Sequence, residues 1–119
     1  AEKKELALAA LDRVGLKEKA YRLPNQISGG EQERVAIARA VVNEPPVLYA
    51  DEPTGNLDSR NSAEVMKLLK QLNSEGETIV MVTHSRRNAD YADRLIEVLD
   101  GTVRSNTPLL KSAPAVSMA

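Results

Sequence analysis

The amino-acid sequence predicts an α/β fold built on a parallel sheet. Two short apolar runs, residues 47–51 and 78–83, have the length and composition of strands buried in such a sheet. Residues 59–73 lie between them and repeat apolar side chains at helical spacing, namely Val65, Leu68, Leu69 and Leu72. A strand, a covering helix and a second strand in this order predict a crossover unit.

The first part of the chain is predicted to be helical. Residues 1–13 form an amphipathic pattern that Gly15 ends, and residues 16–20 can add one more turn. A second helix is predicted over residues 31–43, where Pro45 and Pro46 stop it. We therefore expect a helical region over residues 1–44 and a core sheet region over residues 45–104.

The last part is predicted to contain a short helix and a hairpin. The helix is expected over residues 88–93, and an apolar run over residues 95–99 leads into Asp100-Gly101, a pair typical of a primed hairpin turn, with the return strand at residues 102–103. Residues 105–119 carry prolines and small residues without periodicity, which predicts a loose tail or a linker.

Composition excludes several classes of partner and site. The formal net charge is −1, which argues against a surface for nucleic acid or acidic lipid. The only aromatic residues are three tyrosines, so a base-stacking platform is not expected. The chain has no cysteine, which excludes disulfides and thiolate metal sites. No run reaches the roughly 18 apolar residues of a membrane helix.

Ser28, Gly29 and Gly30 precede a stretch with good helix propensity, and this arrangement has two interpretations. Glycine N–H groups allow a close approach, and the start of a helix carries a partial positive charge, so the stretch can bind phosphate oxygens. The alternative is a serine cap on an ordinary surface helix. Glu31 follows in the first helical turn, where an acid favours the helix dipole.

Polar residues follow both predicted strands directly. Asp51 ends the first strand with Glu52 beside it, and two adjacent acids there can hold a metal ion and a water next to a phosphate. His84 follows the second strand. Because open parallel sheets bind ligands at the carboxyl ends of their strands, these residues are candidates for one site.

Together these stretches resemble the nucleotide-binding subunit of ABC transporters. Residues 27–31 resemble its signature, residues 47–52 its Walker B strand, residues 55–58 its D-loop, and His84 its switch histidine. The match runs from about residue 23 to residue 103, with four motifs in the family's order. The sequence of residues 50–58 is most similar to sequences of the branch that serves lipoprotein release, macrolide or peptide export, and cell division.

The resemblance implies a partial P-loop NTPase-type sheet with part of a helical subdomain at its N-terminus, and ATP and Mg²⁺ as ligands. It implies that Asp51 holds Mg²⁺, that Glu52 polarises the attacking water, and that His84 contacts the γ-phosphate. The residues that would act on the nucleotide of a second subunit are those of the signature, namely Ser28, Gly29, Gly30 and Glu31. Asp58 would lie at the dimer seam. We expect Glu31 to turn away from the phosphate, toward the ribose or solvent.

The resemblance also implies partners and a location. They are a second ATP-binding subunit bound head to tail and integral membrane permease subunits, without nucleic acid, at the cytoplasmic face of the cell membrane. None of the six glycines belongs to a phosphate loop, G-x-x-x-x-G-K-[ST]. We therefore expect the C-terminal half of a nucleotide-binding domain, which hydrolyses ATP in the parent protein but not as an isolated chain.

Two further functions stay open from the sequence. The chain could be a non-catalytic fragment that keeps only the surface facing its partners. It could also belong to an ABC-type ATPase of chromosome or DNA-repair work. Those proteins usually separate the two halves of the domain with long coiled coils, and residues 1–23 show no sustained heptads.

Overall fold

The computed structural model describes residues 2–109 and divides into two compact units, one ending at Val82 and one beginning at Thr83. The helices and strands of the first unit are α1 (Glu2–Arg13), α2 (Gly29–Val41), β1 (Leu48–Asp51), α3 (Ser59–Ser74) and β2 (Ile79–Val82). Two 3₁₀ turns, Lys17–Lys19 and Pro24–Gln26, connect α1 to α2. The second unit contains α4 (Arg86–Ala89), β3 (Arg94–Leu99) and β4 (Thr102–Pro108).

The first unit confirms the predicted α/β class. Strands β1 and β2 pair in parallel, with a register that runs from Leu48 opposite Ile79 to Asp51 opposite Val82. Helix α3 connects them, as the apolar spacing of its sequence predicted. Since the strands are parallel, both carboxyl ends lie at the same edge of the sheet.

The core of this unit lies between its helices and the sheet. Val41 of α2 and Val65 and Leu72 of α3 are the largest fully buried side chains. Polar contacts hold the same helices together at the surface: Arg34 of α2 pairs with Glu64 of α3 at 3.3 Å. The helices thus form a packed layer that fixes the position of the loops between them.

The expectation that β1 and β2 are buried in the sheet was wrong for this structure. Tyr49 is 76% exposed, and Val80 and Val82 of β2 are exposed as well. Within residues 2–109 this sheet contains β1 and β2 alone, so β1 has one hydrogen-bonded neighbour. Continuous apolar sequence reflects burial on two faces only when other elements cover both, and here these side chains remain in contact with solvent.

The second unit confirms the predicted hairpin and corrects the predicted tail. Asp100 and Gly101 have φ values of 51° and 77°, as a type I′ turn requires. Strand β4 continues to Pro108 and pairs with Arg94, so residues 105–108 form a strand and not a loose tail. The Leu109 N–H donates to the Asp93 carbonyl at 2.8 Å, and residues 110–119 of the predicted tail lie outside the described residues. The short helix begins at Arg86, two residues before the predicted start.

Of the helices between residues 2 and 109, none is both long enough and apolar enough to cross a membrane.

Candidate functional site

Helix α2 begins at Gly29, two residues before the predicted start, because Ser28 caps it. The Ser28 Oγ accepts a hydrogen bond from the Glu31 N–H at 3.1 Å, and the Ser28 N–H donates to Glu31 Oε1 at 3.0 Å. This reciprocal pair is a capping box. The serine cap is therefore present, and it does not use the N–H groups that the anion-site interpretation needs. The cap engages the N–H of Glu31, while the N–H groups of Gly29 and Gly30 have no acceptor within the helix.

Side chains from the same segment fix the loop that leads into α2. The Gln32 amide donates to the carbonyl oxygens of Pro24 at 3.0 Å and of Ile27 at 3.4 Å. The Gln26 amide oxygen accepts from the Leu23 N–H at 2.8 Å. These bonds fix the segment that leads to Ser28.

Glu31 turns back onto its own chain and not into solvent. One carboxylate oxygen accepts from the Ser28 N–H and the other from the ammonium of Lys19, and the side chain is 14% exposed. The hydrogen bond from Lys19, followed by that from Ser28, lowers the pKa of the Glu31 carboxyl from 4.5 to about 2. Glu31 is therefore ionised and paired throughout the neutral range.

The glycine pair at the start of α2 lies against the segment that follows β1. A Cβ on Gly30 would lie 2.6 Å from Asn61 Oδ1 and 3.0 Å from Asn61 Cβ, whereas a Cβ on Gly29 would lie 3.4 Å from Leu57 Cδ2. Gly30 is buried and Gly29 is exposed. Asn61 is thus a residue of this region that sequence reasoning missed, since nothing in the local pattern around Asn61 points to α2.

Glu52 directly follows β1 and adopts a left-handed backbone conformation, with φ at 46°. Its N–H still donates to the Val82 carbonyl at 2.8 Å, so the residue remains attached to β2. Its carbonyl accepts from the Gly55 N–H at 3.1 Å and closes a turn. A left-handed conformation is uncommon for a residue with a side chain, and such conformations cluster at functional sites.

Asp58 has a structural role within this chain. Its carboxylate accepts a hydrogen bond from the Asn61 N–H at 2.8 Å and caps α3. The Ser62 hydroxyl donates to the Leu57 carbonyl at 3.3 Å beside it. Asp58 is therefore the N-cap of α3.

His84 lies in the second unit, two residues after β2 along the chain, and its side chain is exposed. The turn that carries it is ordered by its neighbours. The Ser85 N–H donates to Thr83 Oγ1 at 3.0 Å, and Ser85 Oγ accepts from the Asn88 N–H at 3.2 Å to cap α4.

The donor set at the end of β1 suits Mg²⁺ without forming a complete metal site. Within residues 2–109, no group of three or more histidine, aspartate or glutamate residues is arranged to hold a metal ion. Mg²⁺ usually takes only one or two carboxylates and completes its shell with waters and phosphate oxygens. Asp51, which is exposed at the end of its strand, meets that requirement.

Two clefts of the first unit differ in size and in the residues that line them. A cleft of about 130 Å³ lies between α2 and β1, with Glu33 and Asp51 in its wall. Ligand pockets usually enclose roughly 300–1,000 Å³. A larger cleft of about 530 Å³ is lined by Arg13, Glu44, Pro45, Pro46, Glu75, Gly76 and Glu77, and by none of the predicted site residues.

Comparison with known proteins agrees with the motifs. The profile of the family described as ABC transporter matches residues 2–55. The macrolide export ATP-binding/permease protein MacB of Chlorobium luteolum is 53% identical over 116 residues, which cover 94% of this chain and 18% of that protein. The pyoverdine export ATP-binding/permease protein PvdT of Pseudomonas entomophila is 48% identical over 115 residues, covering 97% of this chain and 18% of that protein.

Solved structures give the same result for the fold. The dimeric structure of a bacterial ABC transporter cassette matches with a TM-score of 0.73 and 47% identity, covering 90% of this chain and 47% of that one. A second cassette, in its ADP conformation, matches with a TM-score of 0.84 at 23% identity, covering 91% of this chain and 43% of that one, and supports the fold alone.

The chain belongs to the family of ABC transporter ATP-binding domains, with the P-loop NTPase fold. Within that family it is close to the macrolide-export branch, since its relatives include MacB proteins from several bacteria. It spans less than a fifth of the length of these curated relatives and just under half of the solved cassette.

Proposed function

We propose that this chain is the signature-bearing part of an ATP-hydrolysing cassette that powers an export transporter. The observation that carries the proposal is the start of α2, a capped helix terminus with two glycines, in the chain that also carries Asp51 and Glu52 at the end of β1. Relatives named as ATP-binding/permease proteins support it. The complete cassette is the protein in which this chain is joined to a phosphate loop.

The role proposed for each residue follows from the chemistry of its side chain or backbone. The N–H groups of Gly29 and Gly30 and the Ser28 hydroxyl are suited to phosphate oxygens of a nucleotide held by a second cassette. Glu52 accepts a hydrogen bond from the attacking water and orients it. His84 contacts the γ-phosphate. Asp58, already the cap of α3, faces the seam between the two cassettes.

Asp51 is the residue proposed to hold Mg²⁺. When bound, the ion neutralises negative charge that develops on the transferring phosphoryl group. The role of the chain is to present the Asp51 carboxylate at the edge of the sheet. The proposed partners are a second cassette and permease subunits, at the cytoplasmic face of the membrane, where the permease recruits the cassette.

The second candidate is a non-catalytic chain that keeps only a partner-facing surface. The absence of a phosphate-loop motif within the 119 residues favours it for the isolated chain. Phosphate release from purified chain with Mg²⁺ and ATP tests whether the isolated chain is catalytic. We expect none, and turnover that disappears in Glu52→Gln would show that the chain is catalytic by itself.

The experiment that tests the proposal is the Glu52→Gln substitution in the complete cassette. We expect hydrolysis to stop while ATP binding persists, because the amide removes the activating charge and leaves the contacts to the nucleotide. Equilibrium dialysis measures the binding, and sedimentation measures an ATP-bound dimer. A variant that loses ATP binding would assign Glu52 a different role.

A further inference from the structure

We infer that Lys19 is a positioning residue for the signature. It neutralises the Glu31 carboxylate and holds it against the cap of α2, so that the start of this helix presents a net attraction to a phosphate. This role rests on the proposed function, in which Ser28, Gly29 and Gly30 bind the nucleotide of a second cassette.

The contacts of Glu31 show how its charge is balanced. Lys19 ends the 3₁₀ turn that follows α1, and its ammonium donates to Glu31 Oε2. Glu31 Oε1 accepts from the Ser28 N–H at 3.0 Å. Both oxygens of the carboxylate are therefore engaged by donors of its own chain, and the pair is sheltered, with 34% of the Lys19 side chain and 14% of the Glu31 side chain exposed.

The position of Glu31 explains why this balance matters. Glu31 is the third residue of α2, two residues after Gly29. The helical rise of about 1.5 Å per residue places it only about 3 Å further along the axis. An uncompensated carboxylate at that distance would repel a phosphate and oppose the positive end of the helix dipole. With Lys19 in contact, the pair is neutral and the dipole remains effective.

Two residues provide matched controls for this assignment. Lys17 lies exposed on the same 3₁₀ turn, so Lys17→Met removes a positive charge close by without touching the carboxylate. Glu31→Gln keeps an acceptor for the Ser28 N–H and removes the negative charge. If Lys19 acts by neutralising Glu31, its removal matters only while Glu31 carries that charge.

The test uses ATP-dependent dimerisation of the complete cassette in the Glu52→Gln background, followed by sedimentation across an ATP titration. Lys19→Met is expected to raise the ATP concentration at half-dimerisation about tenfold, the size of a like-charge repulsion at the edge of a phosphate site. Lys17→Met is expected to leave it unchanged. In the Glu31→Gln background, Lys19→Met is expected to have no more than about a twofold effect.

Further measurements separate this role from folding and from the proposed function. Thermal unfolding without ATP reports any loss of structure. A purely structural Lys19 would lower the unfolding temperature in Lys19→Met while leaving the ATP dependence of dimerisation the same. Gly29→Asp tests the signature itself. If Gly29→Asp prevents dimerisation and Lys19→Met changes nothing, the role of Lys19 is refuted alone. If Gly29→Asp dimerises normally, the proposed function fails.

Discussion

Gly30 and Asn61 are in contact so close that position 30 has no room for a side chain. The place that a Cβ would occupy on Gly30 is 2.6 Å from Asn61 Oδ1, 2.8 Å from Asn61 Cγ and 3.0 Å from Asn61 Cβ. The first turn of α2 therefore rests directly on the first turn of α3. The signature and the D-loop of one chain are joined at this point, since Asp58 caps the same turn of α3.

Gly30→Ala is therefore expected to destabilise the complete cassette by about 1–3 kcal/mol, the usual cost of overpacking. The clash includes the Asn61 Cβ, which cannot move away by a rotamer change. Gly29→Ala is the matched control, because its Cβ would make an ordinary contact of 3.4 Å with Leu57. Urea unfolding measures both. Equal stability of the two variants, or no relief when Asn61→Gly is combined with Gly30→Ala, would contradict this explanation.

The Glu31 carboxylate is expected to make stability depend on pH in acid. Its folded pKa of about 2 lies below the ordinary 4.5, so its contribution is fully present above pH 4.5 and is lost as the pH falls toward 2. The difference in unfolding free energy between the parent and Glu31→Gln should be constant above about pH 5 and should shrink below it. Urea unfolding of the complete cassette across the acid range measures this, and a difference that grows on acidification would contradict it.

Glu33 provides a control in which the dependence of stability on pH has the opposite sign. Burial raises the pKa of its carboxyl, so the folded state holds a proton more tightly than the unfolded chain does. Stability from this group therefore falls as the pH rises through its ordinary range. Glu33→Gln is expected to gain stability relative to the parent at neutral pH and to lose that advantage in acid, and the same urea series measures it.

The sequence predicted those features that depend on short-range patterns. The i, i+3, i+4 spacing around Val65 and Leu72 predicted α3 and its buried face. The Asp100-Gly101 pair predicted a primed turn, because that turn requires two positive φ values. The motif residues could be assigned to a family because the four motifs follow one another along the chain in the family's order.

The features that sequence reasoning missed depend on contacts between distant residues. Lys19 and Glu31 are 12 residues apart, and Gly30 and Asn61 are 31 apart, so neither pair leaves a periodic signal. The exposure of Tyr49 was also unpredictable, because an apolar strand has the same sequence pattern whether or not another element covers it. The roles of Asp51, Glu52 and His84 toward a nucleotide stay predictions.

Asp58 is expected to have two separable roles, as cap of α3 and as a residue of the dimer seam. Asp58→Ala removes the acceptor of the Asn61 N–H and should cost about 1 kcal/mol of stability. Asp58→Ser keeps a capping oxygen without the charge, so it should retain most of that stability. Unfolding and ATP hydrolysis are measured on both variants. Hydrolysis at the parent rate in Asp58→Ser would refute a role for the charge at the seam.

The signature and Glu52 of one chain are expected to serve different active sites of the dimer. Ser28 caps the start of a helix of the helical region, whereas Glu52 directly follows a strand whose edge would also receive the phosphate loop of its own cassette. A helix start that reaches the γ-phosphate from the opposite side must then come from the second cassette. Gly29→Asp should disable the site that this signature faces, since it adds a carboxylate and a Cβ against the phosphate.

Two mixed dimers of the complete cassette distinguish the arrangements. In the first, one subunit carries Gly29→Asp and the other Glu52→Gln. A signature acting on the partner's nucleotide brings both lesions to one site, so vanadate should trap nucleotide only on the phosphate loop of the Gly29→Asp subunit. In the second dimer, one subunit carries both substitutions, each site receives one lesion, and no trapping is expected. A signature that acts within its own subunit gives the reverse, with no trapping in the first dimer and trapping on the unsubstituted subunit in the second. Crosslinking of trapped nucleotide to a tagged subunit reads the result directly, without relying on hydrolysis rates that coupling between the two sites would alter.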